Sequence, residues 1–195
     1  MANTNIGYSE LDSFIQDVEQ IVQSGGIEEV LISKIKTRMQ QLLKSEKVLP
    51  DQYMQPQPTS ALYPLHVAQD ESFSIAVTVF NVGQPSPMHD HGTWGVIGVV
   101  KGVEHEIKYA RPSRENEPLT VVQDRYIREG EVGICCSSEQ DLHQVECASP
   151  MPCVGIHVYG ANIGKIERHM YNPQTGAKKV GITPWVPVPD SNSTL

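Results

Sequence analysis

Between residues 8 and 48 apolar side chains recur at helical spacing. Leu11, Phe14, Ile15, Val18, Ile21 and Val22 follow the i, i+3, i+4, i+7 rhythm of one buried face. Ser9 with Asp12 predicts an N-cap for this helix, and Gly25-Gly26 predicts its end. A second helix carries Leu31, Ile35, Met39, Leu42 and Leu43 and stops before Pro50. The Pro/Gln-rich stretch from Asp51 to Ser60 is a connector, and the rhythm changes beyond it. From Tyr63 to Tyr159 short runs such as FSIAVTVF, WGVIGVVKG, VEHEIKYA, EVGICC and CVGIHVYG are bounded by turn residues, with no helical period between them. Such spacing predicts an antiparallel sandwich or small barrel. The prolines of the closing WVPVPDSNSTL rule out a central strand and predict a segment draped over the domain or frayed.

Charge and cysteine usage narrow the class. Fifteen Lys+Arg stand against 23 Asp+Glu in 195 residues, a formal net charge of −8, so no basic excess is present to engage phosphates. Nucleic-acid and anionic-membrane partners are therefore not expected. No apolar run approaches the length of a membrane span, and MANTNIGYSE does not read as a signal peptide. Cys135, Cys136, Cys147 and Cys153 form neither a CxxC pair nor a dense disulfide framework. They read as reduced, small apolar strand residues in a cytoplasmic protein.

The chemistry lies in the histidines. His89 and His91 flank Asp90 just before the apolar run from Trp94. In an extended chain residues i and i+2 project from one face, so both imidazoles can converge on one ion. Spacing alone leaves a metal claw and a polar strand end both open. A third ligand is needed, and His143, between Leu142 and Val145, is the candidate. His105 competes, but it sits within the alternation Val103, His105, Ile107, Tyr109 and reads as structural. His66 and His169 have no partner at ligand spacing.

Alternation in CVGIHVYG puts Val154, Ile156 and Val158 on one face and Gly155, His157 and Tyr159 on the other. If the aliphatic face packs outward on the helices or on a second sheet, His157 and Tyr159 look into the interior, as a buried hydrogen-bonded pair or as donors beside a metal. In KIERHMY, Arg168 shares the apolar face of Ile166 and Met170. A charge there needs an anionic partner, either a protein carboxylate or a substrate carboxylate. Arg111, Arg114, Arg125 and Arg128 read as solvated loop residues.

The block PMHDHGTWGVIGVVKGVEHE, followed by DLHQVE and HVYGxNIGxxxR, resembles the metal-binding motifs of the cupin superfamily. More narrowly it resembles the cysteine dioxygenase-type thiol dioxygenases, over roughly residues 63–171. The resemblance implies an all-β core with the cupin double-stranded β-helix, a jelly-roll barrel preceded by a helical segment. It divides the chain into a helical segment packed on the barrel (1–50), the cupin barrel with its metal site (51–171) and a tail (172–195). Where most cupins place a glutamate ligand, this chain has Gly95 and Val96. That departure matches the three-histidine Fe(II) site of thiol dioxygenases, with His89, His91 and His143 as ligands.

The resemblance further implies that a small thiol and O₂ are the partners, the thiol leaving as its sulfinic acid. His157 and Tyr159 match the last two members of the family's Ser-x-His-x-Tyr triad, in which the tyrosine donates toward the iron-bound ligands. Gly155 stands at the serine position, so that link is expected to be missing or taken by water. Gly95 occupies the position of the cysteine that animal members cross-link, which predicts an uncross-linked Tyr159. No arginine follows Tyr63 where cysteine-specific members have one, and Arg168 resembles the carboxylate anchor of 3-mercaptopropionate-type enzymes. Asp90 is expected to point away as a brace. The alternatives are a non-redox cupin, an isomerase or lyase using Zn(II) or Ni(II), and a non-catalytic metal- or ligand-binding cupin. A monomer or small homo-oligomer is expected.

Overall fold

The structure, a computed structural model, describes residues 8–55, 57–112, 114, 117–135 and 141–188. Two helices open the chain, α1 (Ser9–Gln23) and α2 (Glu28–Leu42). Gly25 and Gly26 join them at φ 64° and 127°, the left-handed region where a Cβ would be strained. Ser9 does not cap α1: its hydroxyl donates to Glu10 at 2.8 Å, and the cap position falls one residue earlier, at Tyr8, whose carbonyl accepts from the Asp12 amide at 2.9 Å. Leu11, Phe14 and Val18 of α1 and Leu31, Ile32, Ile35, Met39 and Leu42 of α2 are buried. Each such side chain contributes roughly 2 kcal/mol of hydrophobic burial.

Ten strands follow. They are β1 (Ala61–Val67), β2 (Ser74–Phe80), β3 (Gly95–Lys101), β4 (Val103–Ala110) and β5 (Thr120–Arg128), then β6 (Val132–Cys135), β7 (His143–Cys147), β8 (Cys153–Tyr159), β9 (Arg168–Tyr171) and β10 (Lys178–Gly181). One antiparallel sheet runs β1-β2-β8-β3-β6. Its aliphatic residues, among them Val77, Val96, Val154, Ile156 and Val158, share one core with the helices. Pro64 is tolerated because β1 is an edge strand, and the register slips beside it.

The facing layer runs β5-β4-β7, and β9 pairs with β10. His89 joins the two pieces. It exchanges both backbone hydrogen bonds with His143 at 2.9 Å and also bridges to Met170 of β9. The HDH segment is therefore a minimal strand between β7 and β9. Strand β5 carries no sequence signal, because along this outer edge nearly every residue is exposed and no alternation develops. The tail through residue 188 drapes over the barrel: the Val186 amide donates to the Leu62 carbonyl at 2.9 Å, and Trp185 Nε1 donates to Asn162 Oδ1 at 2.9 Å.

The cysteine reading needs correction. Cys147 and Cys153 pair as a disulfide across a Cα–Cα distance of 5.6 Å. The turn that joins the end of β7 to the start of β8 brings them together, which a separation of six residues did not advertise. Cys135 is buried in β6, as expected for a small strand residue, and Cys136 lies outside the described residues.

Candidate metal centre and adjoining cavity

His89, His91 and His143 meet in space. Their ring centroids lie 4.9 Å (His89–His91), 4.9 Å (His89–His143) and 4.7 Å (His91–His143) apart. One potential ligand atom from each falls within 4.8 Å of the others, so the trio could hold a metal ion. The cross-strand pairing of His89 with His143, and the two-residue step to His91, produce this convergence.

The ring nitrogens are sorted by their partners. His143 Nδ1 donates to Glu106 Oε1 at 2.7 Å, and His89 Nδ1 donates to the Pro87 carbonyl at 2.8 Å, leaving each Nε2 for a metal. His91 Nδ1 is buried without a hydrogen-bond partner among the described residues. His89 opens to a cavity on one edge, yet burial and then the neighbouring His143 and Arg168 hold it well below the usual imidazole range. Burial, with His143 and His89 beside it, does the same to His91. Neutral imidazoles are the form that binds a metal. Three imidazole ligands with no carboxylate among them fit a divalent first-row ion with open positions.

Carboxylates stand behind the trio. Burial alone would raise Glu106, but His143, Lys108 and Arg125 outweigh it and bring its carboxyl down to about 2. Arg125 Nε donates to Glu106 Oε2 at 2.5 Å. Asp141 accepts from the amides of His91 at 3.0 Å and Gly92 at 3.3 Å. Asp90 turns to the amide of His169 at 2.8 Å, its ring at 3.0 Å and the hydroxyl of Tyr171 at 3.2 Å, the expected brace. Arg111 ties Asp90 to Asp141 at 3.0 and 2.5 Å.

Arg111 and Arg125 are therefore not solvated loop residues. Buried acids distant in sequence claim them, Asp90 and Asp141 for Arg111 and Glu106 for Arg125, and their own sequence neighbours carry no sign of it. Arg114 and Arg128 are exposed, as expected. His105 is structural, bonded to Glu146 at 2.9 Å and Asp124 at 2.8 Å. His66 stacks on Phe73.

Arg168 lies at the edge of this centre, 5 % exposed. Its Nε is buried without a hydrogen-bond partner, and no ion pair among the described residues involves it. Burial lowers its proton affinity, while Tyr159 and Asp90 hold the charge in place. Arg168, His89 and Tyr159 line one cavity of about 440 Å³ whose other walls include Leu62, Phe80 and Met170.

Tyr159 faces His91 at 5.5 Å between ring centroids, and its hydroxyl bonds His157 Nδ1 at 2.9 Å. Burial first, and Cys135 second, push the phenol up from its usual value, with Arg168 opposing. The link expected to be missing at Gly155 is present. Thr78 stands directly opposite Gly155 across the β2–β8 ladder, and its hydroxyl bonds His157 Nε2 at 2.9 Å. Nothing in the run of β2 marks Thr78 out, because only the strand register brings it there. Gly95 also faces Tyr159 in register, and Cys135 of β6 occupies the space beside it: a Cβ on Gly95 would lie 2.7 Å from Cys135 Sγ and 3.3 Å from the Tyr159 ring.

Among solved structures, the chain is similar to an uncharacterised double-stranded β-helix protein from Klebsiella pneumoniae, at 16 % identity and TM-score 0.43, over 57 % of this chain and 81 % of that one. It is also similar to an RmlC-like cupin from Methanocaldococcus jannaschii, at 12 % identity and TM-score 0.42, over 55 % and 85 %. The family model for cysteine dioxygenase type I matches residues 15–171, a span that holds the latter part of α1, all of α2, the three histidines, Thr78, His157, Tyr159 and Arg168. The all-β architecture beneath two helices is the cupin double-stranded β-helix, and the chain belongs to the cysteine dioxygenase type I family.

Proposed function

We propose that the protein is a mononuclear non-haem Fe(II) thiol dioxygenase that converts a small thiol carboxylate and O₂ into the corresponding sulfinic acid. The observation that carries this reading is Arg168: a buried guanidinium with no ion pair among the described residues, lining the cavity onto which His89 and Tyr159 open. A buried cation without a partner is costly, and a substrate carboxylate would offset that cost with a pair of charge-assisted hydrogen bonds.

Held by His89, His91 and His143, Fe(II) would keep its full positive charge and open positions, supplying a Lewis acid for a thiolate and the redox chemistry O₂ needs. The chain's own residues do the rest. Arg168 fixes the carboxylate end, so the sulfur end is presented to the histidines in one orientation. Glu106 and the Pro87 carbonyl keep two of the imidazoles turned the right way. Apolar side chains, among them Leu62, Phe80 and Met170, line the cavity beside these polar groups. Tyr159, held by His157 and through it by Thr78, meets the reacting end of the substrate.

The test is oxygen uptake and sulfinate formation by Fe(II)-loaded protein with 3-mercaptopropionate and with cysteine. Turnover of at least one, abolished with metal binding in His143→Ala, is expected. Absence of uptake and of sulfinate with both thiols would overturn the proposal.

A further inference from the structure

Strand β4 turns two glutamates inward. Glu104 and Glu106 are 1 % and 2 % exposed, whereas their neighbours His105 and Ile107 are only half-buried. Glu106 is accounted for by His143 and Arg125. Glu104 is not: its Oε1 is buried with no hydrogen-bond partner among the described residues. A carboxylate oxygen in that position is costly unless something nearby answers its charge.

What it faces is His157. Glu104 Oε1 lies 3.9 Å from His157 Nε2, the nitrogen that also meets Thr78. The approach depends on Gly155, two residues before His157 on the same face of β8. A Cβ there would lie 2.8 Å from His157 Nε2 and 3.0 Å from Glu104 Oε1, wedged between the two groups. The missing side chain at Gly155 is the opening through which the carboxylate reaches the ring.

The His157 ring can carry its proton on either nitrogen, and the two tautomers aim Tyr159 in opposite ways. With the proton on Nδ1, the ring donates to the phenol oxygen and the phenol hydrogen is left for the cavity. With the proton on Nε2, the ring donates toward Thr78 and Glu104, while Nδ1 accepts from the Tyr159 hydroxyl. A carboxylate beside Nε2 repels a lone pair there and attracts an N–H.

We infer that Glu104 is a positioning residue that holds His157 as the Nε2–H tautomer, so that Tyr159 donates its hydrogen to His157 and turns its oxygen lone pairs toward the cavity. Tyr159 thereby accepts a hydrogen bond from an incoming S–H instead of donating one. Glu104 touches neither substrate nor metal and acts only through His157. The role given to Tyr159 rests on the thiol dioxygenase reading, but the tautomer is a property of the protein by itself.

Long-range ¹H–¹⁵N correlation spectra of the full-length, histidine-labelled protein, both metal-free and loaded with diamagnetic Zn(II), read the tautomer directly. The His157 signals are assigned by their loss in His157→Asn. The expected pattern has a protonated-type shift at Nε2 and an unprotonated-type shift at Nδ1. Glu104→Gln, whose amide can donate to Nε2, and Gly155→Ala, which closes the opening, should each shift the ring toward the reverse pattern. The Nδ1–H pattern in the unmodified protein overturns the inference, and so does an unchanged Nε2–H pattern in every folded variant. Neither readout needs turnover, so a protein that consumes no oxygen with thiols would refute the proposed activity and leave this measurement standing.

Discussion

Glu106 accepts a hydrogen bond from Nδ1 of His143 at 2.7 Å while its second oxygen accepts one from Arg125 at 2.5 Å. Its carboxylate is thereby clamped between a candidate ligand and a cation, and it fixes which nitrogen of His143 looks inward. Removing such a support behind a ligating histidine typically costs 10–100-fold in metal affinity. Glu106→Ala should weaken binding by about that factor in a competition titration with a chelator. A variant that binds metal as tightly as the parent would show that this contact does not orient the ligand.

Arg168→Met separates activity from stability. Losing a charge-assisted pair with the substrate should lower kcat/KM for thiol carboxylates by about 30-fold or more, equivalent to roughly 2 kcal/mol. The ratio for a thiol lacking the carboxylate should change far less. Because the guanidinium is buried with no ion pair among the described residues, the same change should leave the folded state as stable as before or more so. Urea unfolding of the metal-free protein checks that half of the prediction.

His105 supplies a pH signature remote from the metal centre. Its hydrogen bond to Glu146, and then that to Asp124, outweigh burial and raise it above its ordinary value near 6.5. The protonated ring therefore stabilises the folded state at pH values below about 6.5, and this contribution fades as pH rises through the higher folded value. Both acids are well exposed, so the effect is modest. Unfolding midpoints of the parent and His105→Gln should differ most at pH 6 and converge by about pH 9.

The helices belong to the folding unit that carries the site. Phe14 is 2 % exposed and packs in the same core as the sheet residues Val154 and Ile156. Phe14→Ala should cost about 3–5 kcal/mol, seen as a lower urea midpoint in one cooperative transition. A transition that splits in two would mean that the helices and the sheet unfold separately.

What the chain discloses before folding is uneven, and the pattern has a physical cause. The helices, and the alternation of β8 that turns His157 and Tyr159 inward, are periodic and local. The HDH pair is legible because two residues on an extended segment share a face. Thr78 gives no local signal, and Arg111 and Arg125 read as solvated, since the partners of all three are distant in sequence and only the fold brings them together. Glu104 and Glu106 ran against expectation for a simpler reason. Glutamates in an alternating strand read as the wet face, yet here each faces inward toward a histidine from another strand. The Cys147–Cys153 pairing likewise depends on a turn that composition does not announce.

His89 contributes a side chain to the candidate centre and, through its backbone, the stitch between β7 and β9. The same residue that would hold an ion through its ring closes the second layer through its backbone. Sliding β7 against the HDH segment would pull the three imidazoles apart, so an ion held by all three would require that seam to stay closed. Substrate traffic must then go by the cavity mouth between β1, β2 and the draped tail, where side chains and a strap can yield without disturbing the ligand set.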